Sequence, residues 1–137
     1  MMNLQELQTL ATSGLNVVVV ILDNGGYLSI KQTQTNFFGR HHGSNPASGV
    51  TFPNFARVAE SFGLATTELN PVHWRDELKN VLSLDGPRVI VAKLDQDQEF
   101  EPRLKSKMVE GVIKTPPLED MYPHLDTQEL SRIMGQV

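Results

Sequence analysis

"VVVVILDNGGYLSI", residues 17–30, joins an unbroken apolar run to Asp23-Asn24-Gly25-Gly26 and then to a second stretch that opens on Tyr27 and Leu28. The run Val17 to Leu22 contains β-branched residues and one leucine. It predicts a strand buried on both faces, at the centre of a parallel sheet rather than on one side of a hairpin. Such a strand ends in a carboxylate, an amide and two glycines for one of two reasons. Asp, Asn and Gly all tolerate left-handed backbone, so "DNGG" reads as a plain turn. Equally, ligands of open α/β sheets sit outside the carboxyl ends of the strands, where these polar groups lie.

Outward from that strand, the chain alternates between two periods. Residues 3–13 set Leu4, Leu7, Leu10 and Ala11 on one helical face. Asn3 and Glu6 have capping-box spacing, and Gly14 supplies a stop. Residues 39–51, "GRHHGSNPASGVT", read as an exposed, mobile loop. "FPNFARVAESFG" places Phe55, Val58, Ala59 and Phe62 on one face, between Pro53 and Gly63. "LATTEL" is a short strand. "NPVHWRDELKNVLSLDG" carries Trp74, Leu78, Val81 and Leu82 at helical spacing, with Gly86 closing it, and "PRVIVAKL" is a second β-branched strand.

The order α, β, loop, α, β, α, β predicts an α/β domain, a parallel sheet flanked by helices on both faces. It spans residues 1–95. Residues 96–137, with "TPPLEDMYP" and a short helical pattern near "DTQELSRIM", are expected to form a tail packing on the domain or a partner chain.

Composition narrows the function classes. The 137 residues suffice for one domain with a real core. A net charge of -4, with the twelve Lys and Arg scattered, argues against a nucleic-acid partner. There is no cysteine, which excludes disulfides and thiolate metal sites and suits a cytoplasmic protein. The longest apolar run is far short of the roughly 20 residues that cross a bilayer, and a signal peptide is not expected.

At the turn, Asn24 offers a hard side-chain oxygen, and a glycine lets a main-chain carbonyl approach a cation closely. Oxygen donors of this type suit Mg²⁺ or Ca²⁺, and Mg²⁺ is often shared with substrate phosphates. A helix beginning near Tyr27 would present amides to a phosphate.

These residues resemble a known family. "MMNLQEL", "VVILDN", "FPNFARVAESFGL" and "GPRVIVAKL" together look like the C-terminal, pyrophosphate-binding domain of thiamine diphosphate enzymes of the acetolactate synthase group. The tail "PPLEDMYPHL" is similar to the ending of such proteins. The resemblance implies the thiamine diphosphate-binding fold, here incomplete. It further implies that Asn24, by its side chain, and Gly26, by its carbonyl, bind the Mg²⁺ that bridges the cofactor's diphosphate. Tyr27, Leu28 and Ser29 fall where the family's chain passes the diphosphate and the active centre.

The implied activity is decarboxylation of a 2-oxo acid such as pyruvate followed by carboligation, a lyase or transferase reaction of branched-chain amino acid biosynthesis. No catalytic residue is expected within these 137. The proton-relay Glu belongs to a pyrimidine-binding domain, and a homodimer or tetramer would form the complete enzyme. Met1 falls just after the family's Gly-Asp-Gly-Ser-Phe stretch, whose Asp is a metal ligand. The chain is thus expected to be a fragment without activity of its own. Ser29 and Thr33 stand where the family usually has Met and Trp lining the substrate pocket, which keeps open a related 2-oxo acid decarboxylase. A non-catalytic α/β assembly domain is the remaining alternative. His41 and His42, in their polar loop, are expected to be solvent-exposed. Glu6 reads as a cap, and His73 as a packing or surface residue.

Overall fold

The structure is a computed structural model that describes residues 3–135. It divides into two compact units, Met1–Gln98 and Glu99–Val137. In the first, three parallel strands lie in the order β1-β3-β2: β1 is Val18–Asp23, β2 Ala65–Leu69 and β3 Arg88–Lys93. The helices are α1 (Glu6–Ser13), α2 (Leu28–Phe37), α3 (Phe55–Ser61) and α4 (Trp74–Leu82).

The opening run is therefore an edge strand among the described residues, which corrects the expectation of a central one. β3 holds the centre instead, and its Val89, Ile90 and Val91 are essentially inaccessible. On β1, Val19 and Ile21 pack with Leu7, Leu10 and Ala11 of α1 against Ala59, Leu64 and Val89. The alternate residues Val20 and Leu22 stay 47% and 61% exposed. A six-residue apolar run is equally compatible with either position, because neighbours in the sheet are set by chain crossings that composition does not encode.

Leu7, Leu10 and Ala11 form the apolar face of α1 that their spacing predicts, whereas Leu4 precedes the helix. The start of the helix differs: Gln5 is the N-cap, no side chain caps the helix, and i→i−3 bonds such as Glu6 N–H to Asn3 O close the first turn. The Asn3–Glu6 capping box does not form. Gly14 ends the helix in left-handed conformation, φ 63°, which L side chains adopt at a cost. Asn54 does cap α3, its side chain accepting the Arg57 N–H at 2.9 Å.

α2 is absent from the expected order. Its sequence, "LSIKQTQTNF", buries only Leu28 and Gln32, one turn apart, so its apolar periodicity is too sparse to read. α4 packs on β2 and buries only Val81, while Trp74 and Leu82 remain 43% and 57% exposed.

In the second unit, β4 (Lys107–Val109) and β5 (Val112–Lys114) form an antiparallel hairpin. Glu110 and Gly111 turn it with φ 51° and 78°, the left-handed pair that two-residue hairpin turns require. The anticipated helix is α5, Thr127–Ile133, capped by Asp126 through the Gln128 N–H. Three-residue strands exposed on both faces leave no alternation to detect, so the hairpin was illegible in the sequence.

Candidate functional site

The parallel register pairs Asp23 of β1 with Lys93 of β3 at the carboxyl edge of the sheet. Their side chains form an ion pair, and the Asp23 carboxylate also accepts the Gly25 N–H at 3.1 Å. The hydrogen bond from Lys93 to Asp23 raises the lysine pKa above its ordinary value, against a smaller opposing effect of burial. Asp23 thus shapes the turn through its bonds to Lys93 and Gly25.

Asn24 follows with a second turn of the same kind, its Oδ1 accepting the Gly26 N–H at 3.2 Å. Two successive side-chain-to-backbone bonds fold "DNGG" into a fixed hook.

The two glycines are required for different reasons. Gly25 has φ 65° and the Gln96 side chain lies flat against it, with Nε2 3.1 Å from where a Cβ would stand. Gly26 has no such φ, but a Cβ there would sit 2.6 Å from the Ser44 carbonyl oxygen. That closeness comes from the loop 39–51, which is not the loose connection its composition predicts. Tyr27 N–H donates to Ser44 O at 2.7 Å, and Ser44 is fully buried.

Asn45 and Ser48 cap each other across a single 3-10 turn, Pro46–Ser48. Upstream, the Gln34 carboxamide clasps the backbone of His42 on both sides, accepting from its N–H at 2.9 Å and donating to its O at 2.8 Å. Reciprocal bonds of this kind satisfy the backbone without secondary structure. His41 and His42 are exposed, as expected; His41 Nε2 lies 2.8 Å from Thr35 Oγ1.

The result is a narrow cleft lined by Asn24, Gly26, Tyr27, Leu28, Lys31, Ser44, Asn45 and Gln96, with a volume of about 10 Å³. That is the space of roughly one water molecule or one ion, not of an organic ligand. Four of the five expected site residues meet there. Leu28 is buried, and the Tyr27 ring stands edge-on to Phe52 at 5.4 Å. Ser29 is exposed in the first turn of α2 and does not line the cleft.

Lys31, Ser44, Asn45 and Gln96 are additional. Only tertiary folding brings Gln96 to residue 25, and no spacing rule would find it. The donors fit part of a hard cation's shell: Asn24 Oδ1 and the Ser44 and Gly26 carbonyls are neutral oxygens with lone pairs to offer. Among the described residues no three His, Asp or Glu side chains converge to hold a metal.

Comparison with known proteins decides the family. Residues 1–92 match the model of "Thiamine pyrophosphate enzyme, C-terminal TPP binding domain". The chain belongs to this family. Within it, the chain is similar to the acetolactate synthase of Arthrospira platensis, 33% identical over 103 residues that cover 74% of this chain and 17% of the relative.

The acetolactate synthase large subunit of Porphyra purpurea is 32% identical with the same coverage. The isozyme 1 large subunit of Escherichia coli K12 is 27% identical over 74% of this chain and 18% of its own length. The chain thus spans about a sixth of the curated relatives it matches. As a thiamine pyrophosphate-binding domain it has the small parallel α/β sheet expected from the sequence. No helix among the described residues is long and apolar enough to cross a membrane.

Proposed function

We propose that this thiamine pyrophosphate-binding domain anchors the Mg²⁺-diphosphate end of the cofactor for an acetolactate synthase-like reaction. Asn24 Oδ1 and the Gly26 carbonyl are the metal ligands it contributes, and the first turn of α2 faces the phosphates. The observation that carries this reading is the convergence of Asn24, Gly26, Tyr27 and Leu28 on one ion-sized cleft at the carboxyl edge of a parallel sheet. When bound, thiamine diphosphate supplies the electron sink needed to cleave a 2-oxo acid such as pyruvate.

The chain's own part is to fix a charge-neutralised diphosphate by rigid oxygens, with Asp23 and Lys93 holding the hook in shape. A carboxylate ligand, the proton-relay Glu of a pyrimidine-binding domain and a dimeric or tetrameric assembly belong to the rest of the enzyme. A cytoplasmic location agrees with the cysteine-free composition.

Ser29 and Thr33 favour a second reading, a related 2-oxo acid decarboxylase or carboligase, since both are small and polar on the exposed side of α2.

The experiment is a calorimetric titration of the purified protein with thiamine diphosphate and Mg²⁺, with Asn24→Ala as the control, followed by product analysis with pyruvate. The 137 residues alone should bind weakly and release no CO₂ from pyruvate. Turnover by this chain without any partner would overturn the assignment of catalysis to the rest of the enzyme.

A further inference from the structure

The turn after β3 also reaches the cleft, through Gln96. β3 continues past Lys93, with Leu94 N–H donating to Asp23 O at 2.9 Å, so the chain leaves the sheet beside the hook. It then bends sharply: Asp97 N–H donates to Asp95 Oδ1 at 2.8 Å. Lys31, from the second turn of α2, reaches across, donates to Gln96 O at 3.0 Å and pairs with the Asp97 carboxylate. Its side chain is only 20% exposed. Held on both sides, Gln96 lays its carboxamide over Gly25 and against the cleft that contains Asn24 and Gly26. Gln96 is solvent-exposed, and its carboxamide has no protein hydrogen-bond partner among the described residues, although the backbone on either side is tied down.

We propose that Gln96 is a further binding residue of this site, its Nε2–H donating to the oxyanion seated at the hook, and that Lys31 is the positioning residue that keeps it there. This rests on the reading that Asn24 and Gly26 hold a metal-bound phosphate group. A neutral amide donor suits that position. It can approach an anion without competing with the metal for the oxygen charge, and it can turn its carbonyl away from the ligand. Two of the three Lys31 ammonium N–H groups are taken by Gln96 O and Asp97, which ties the lysine to the segment that carries Gln96. Gly25 is favoured by its φ of 65°, and a Cβ there would also press on the Gln96 carboxamide.

The test uses the full 137-residue chain, isotopically labelled, with inorganic pyrophosphate and Mn²⁺ as the probe at millimolar concentration, where even weak binding broadens nearby NMR signals. The side-chain amide of Gln96 should broaden together with that of Asn24 and the Gly26 backbone amide. Gln96→Ala should weaken pyrophosphate binding roughly tenfold to a hundredfold, the range for losing one hydrogen bond to a charged group. Gln96→Glu keeps the shape but turns a donor into an anion, so it should weaken binding further than Ala.

Lys31→Met should reproduce the loss seen with Gln96→Ala, and Lys31→Arg should restore it. These variants should melt at the wild-type temperature, which separates a binding role from a packing one. If Asn24→Ala abolishes binding while both Gln96 variants bind as the wild type does, the role of Gln96 is overturned and the metal reading stands. If the wild-type chain shows no broadening at the hook, the metal reading falls and the Gln96 role with it.

Discussion

β1 and β3 are two six-residue strands of nearly the same chemistry, VVVILD and RVIVAK, paired in register from Val18↔Arg88 to Asp23↔Lys93. One is buried along four successive residues; the other alternates between half-buried and exposed. The difference lies in their neighbours. β3 has a strand on each side, whereas β1 has one, and α1 and α3 cover only the face that carries Val19 and Ile21. Apolar content therefore reports that a segment is a strand, not how deeply it will lie. The ends of the two strands reverse the ranking. The edge strand delivers the hook with Asn24 and Gly26, and the buried strand delivers the segment that closes over it.

The largest test of that contrast is truncation on each strand. Ile90→Ala, at a fully buried position, should cost about 2–5 kcal/mol in urea unfolding. Val20→Ala, half exposed on the edge strand, should cost less than about 1 kcal/mol. Equal losses would mean that β1 is as deeply buried as its composition implies.

At the hook, Gly26→Ala forces a methyl group onto the Ser44 carbonyl and should destabilise by about 1–3 kcal/mol. The same change at Gly14, which meets no neighbour, should cost only the strain of its φ. A Gly26→Ala protein as stable as wild type would show that the loop at Ser44 is free to move away.

On α2, which leads from the edge strand, Gln32 is buried with its Nε2 unpaired. Gln32→Met should be neutral or stabilising by about 1 kcal/mol, because it removes a desolvated donor and keeps the volume. A clear loss of stability would reveal a hydrogen bond that the amide makes.

The smallest expected effect concerns the segment after β3. Hydrogen bonding and charge from Lys31 hold the Asp97 carboxyl below the ordinary aspartate range. A depressed carboxyl contributes above its unfolded pKa and loses that contribution as pH falls through the folded value. The Lys31–Asp97 pair should thus be intact at neutral pH and release only in acid. Carboxyl NMR titration should show the Asp97 midpoint return to the ordinary value in Lys31→Met, with little change in melting temperature, since the Asp97 carboxylate lies in solvent.

Much of the candidate cleft was legible in the sequence because its lining is local. Asn24, Gly26, Tyr27 and Leu28 lie within five residues, and Asx-type bonds that need only neighbouring atoms shape the turn. The family was legible for a similar reason, through motifs spread over residues 1–92. Of helix α2 only the start near Tyr27 was legible, since two buried residues in ten leave no stripe. Nor was the loop 39–51, whose order comes from Gln34, Asn45 and Ser48 bonding to backbone, a specificity invisible in a Gly/Ser/Asn composition. Lys31 and Gln96 lie outside any local rule, being 65 residues apart and joined by one side chain.

The sequence by itself determined the three strands of the parallel sheet, most of the helices, the family and the residues of the hook, because periodicity and side-chain type act over one or two turns of chain. Only the tertiary structure decided which strand is central, why Gly26 cannot carry a side chain, and that Gln96 belongs to the cleft. Each of these depends on close approach between segments far apart in the chain, set by crossover connections and packing volume rather than by any residue's own preference.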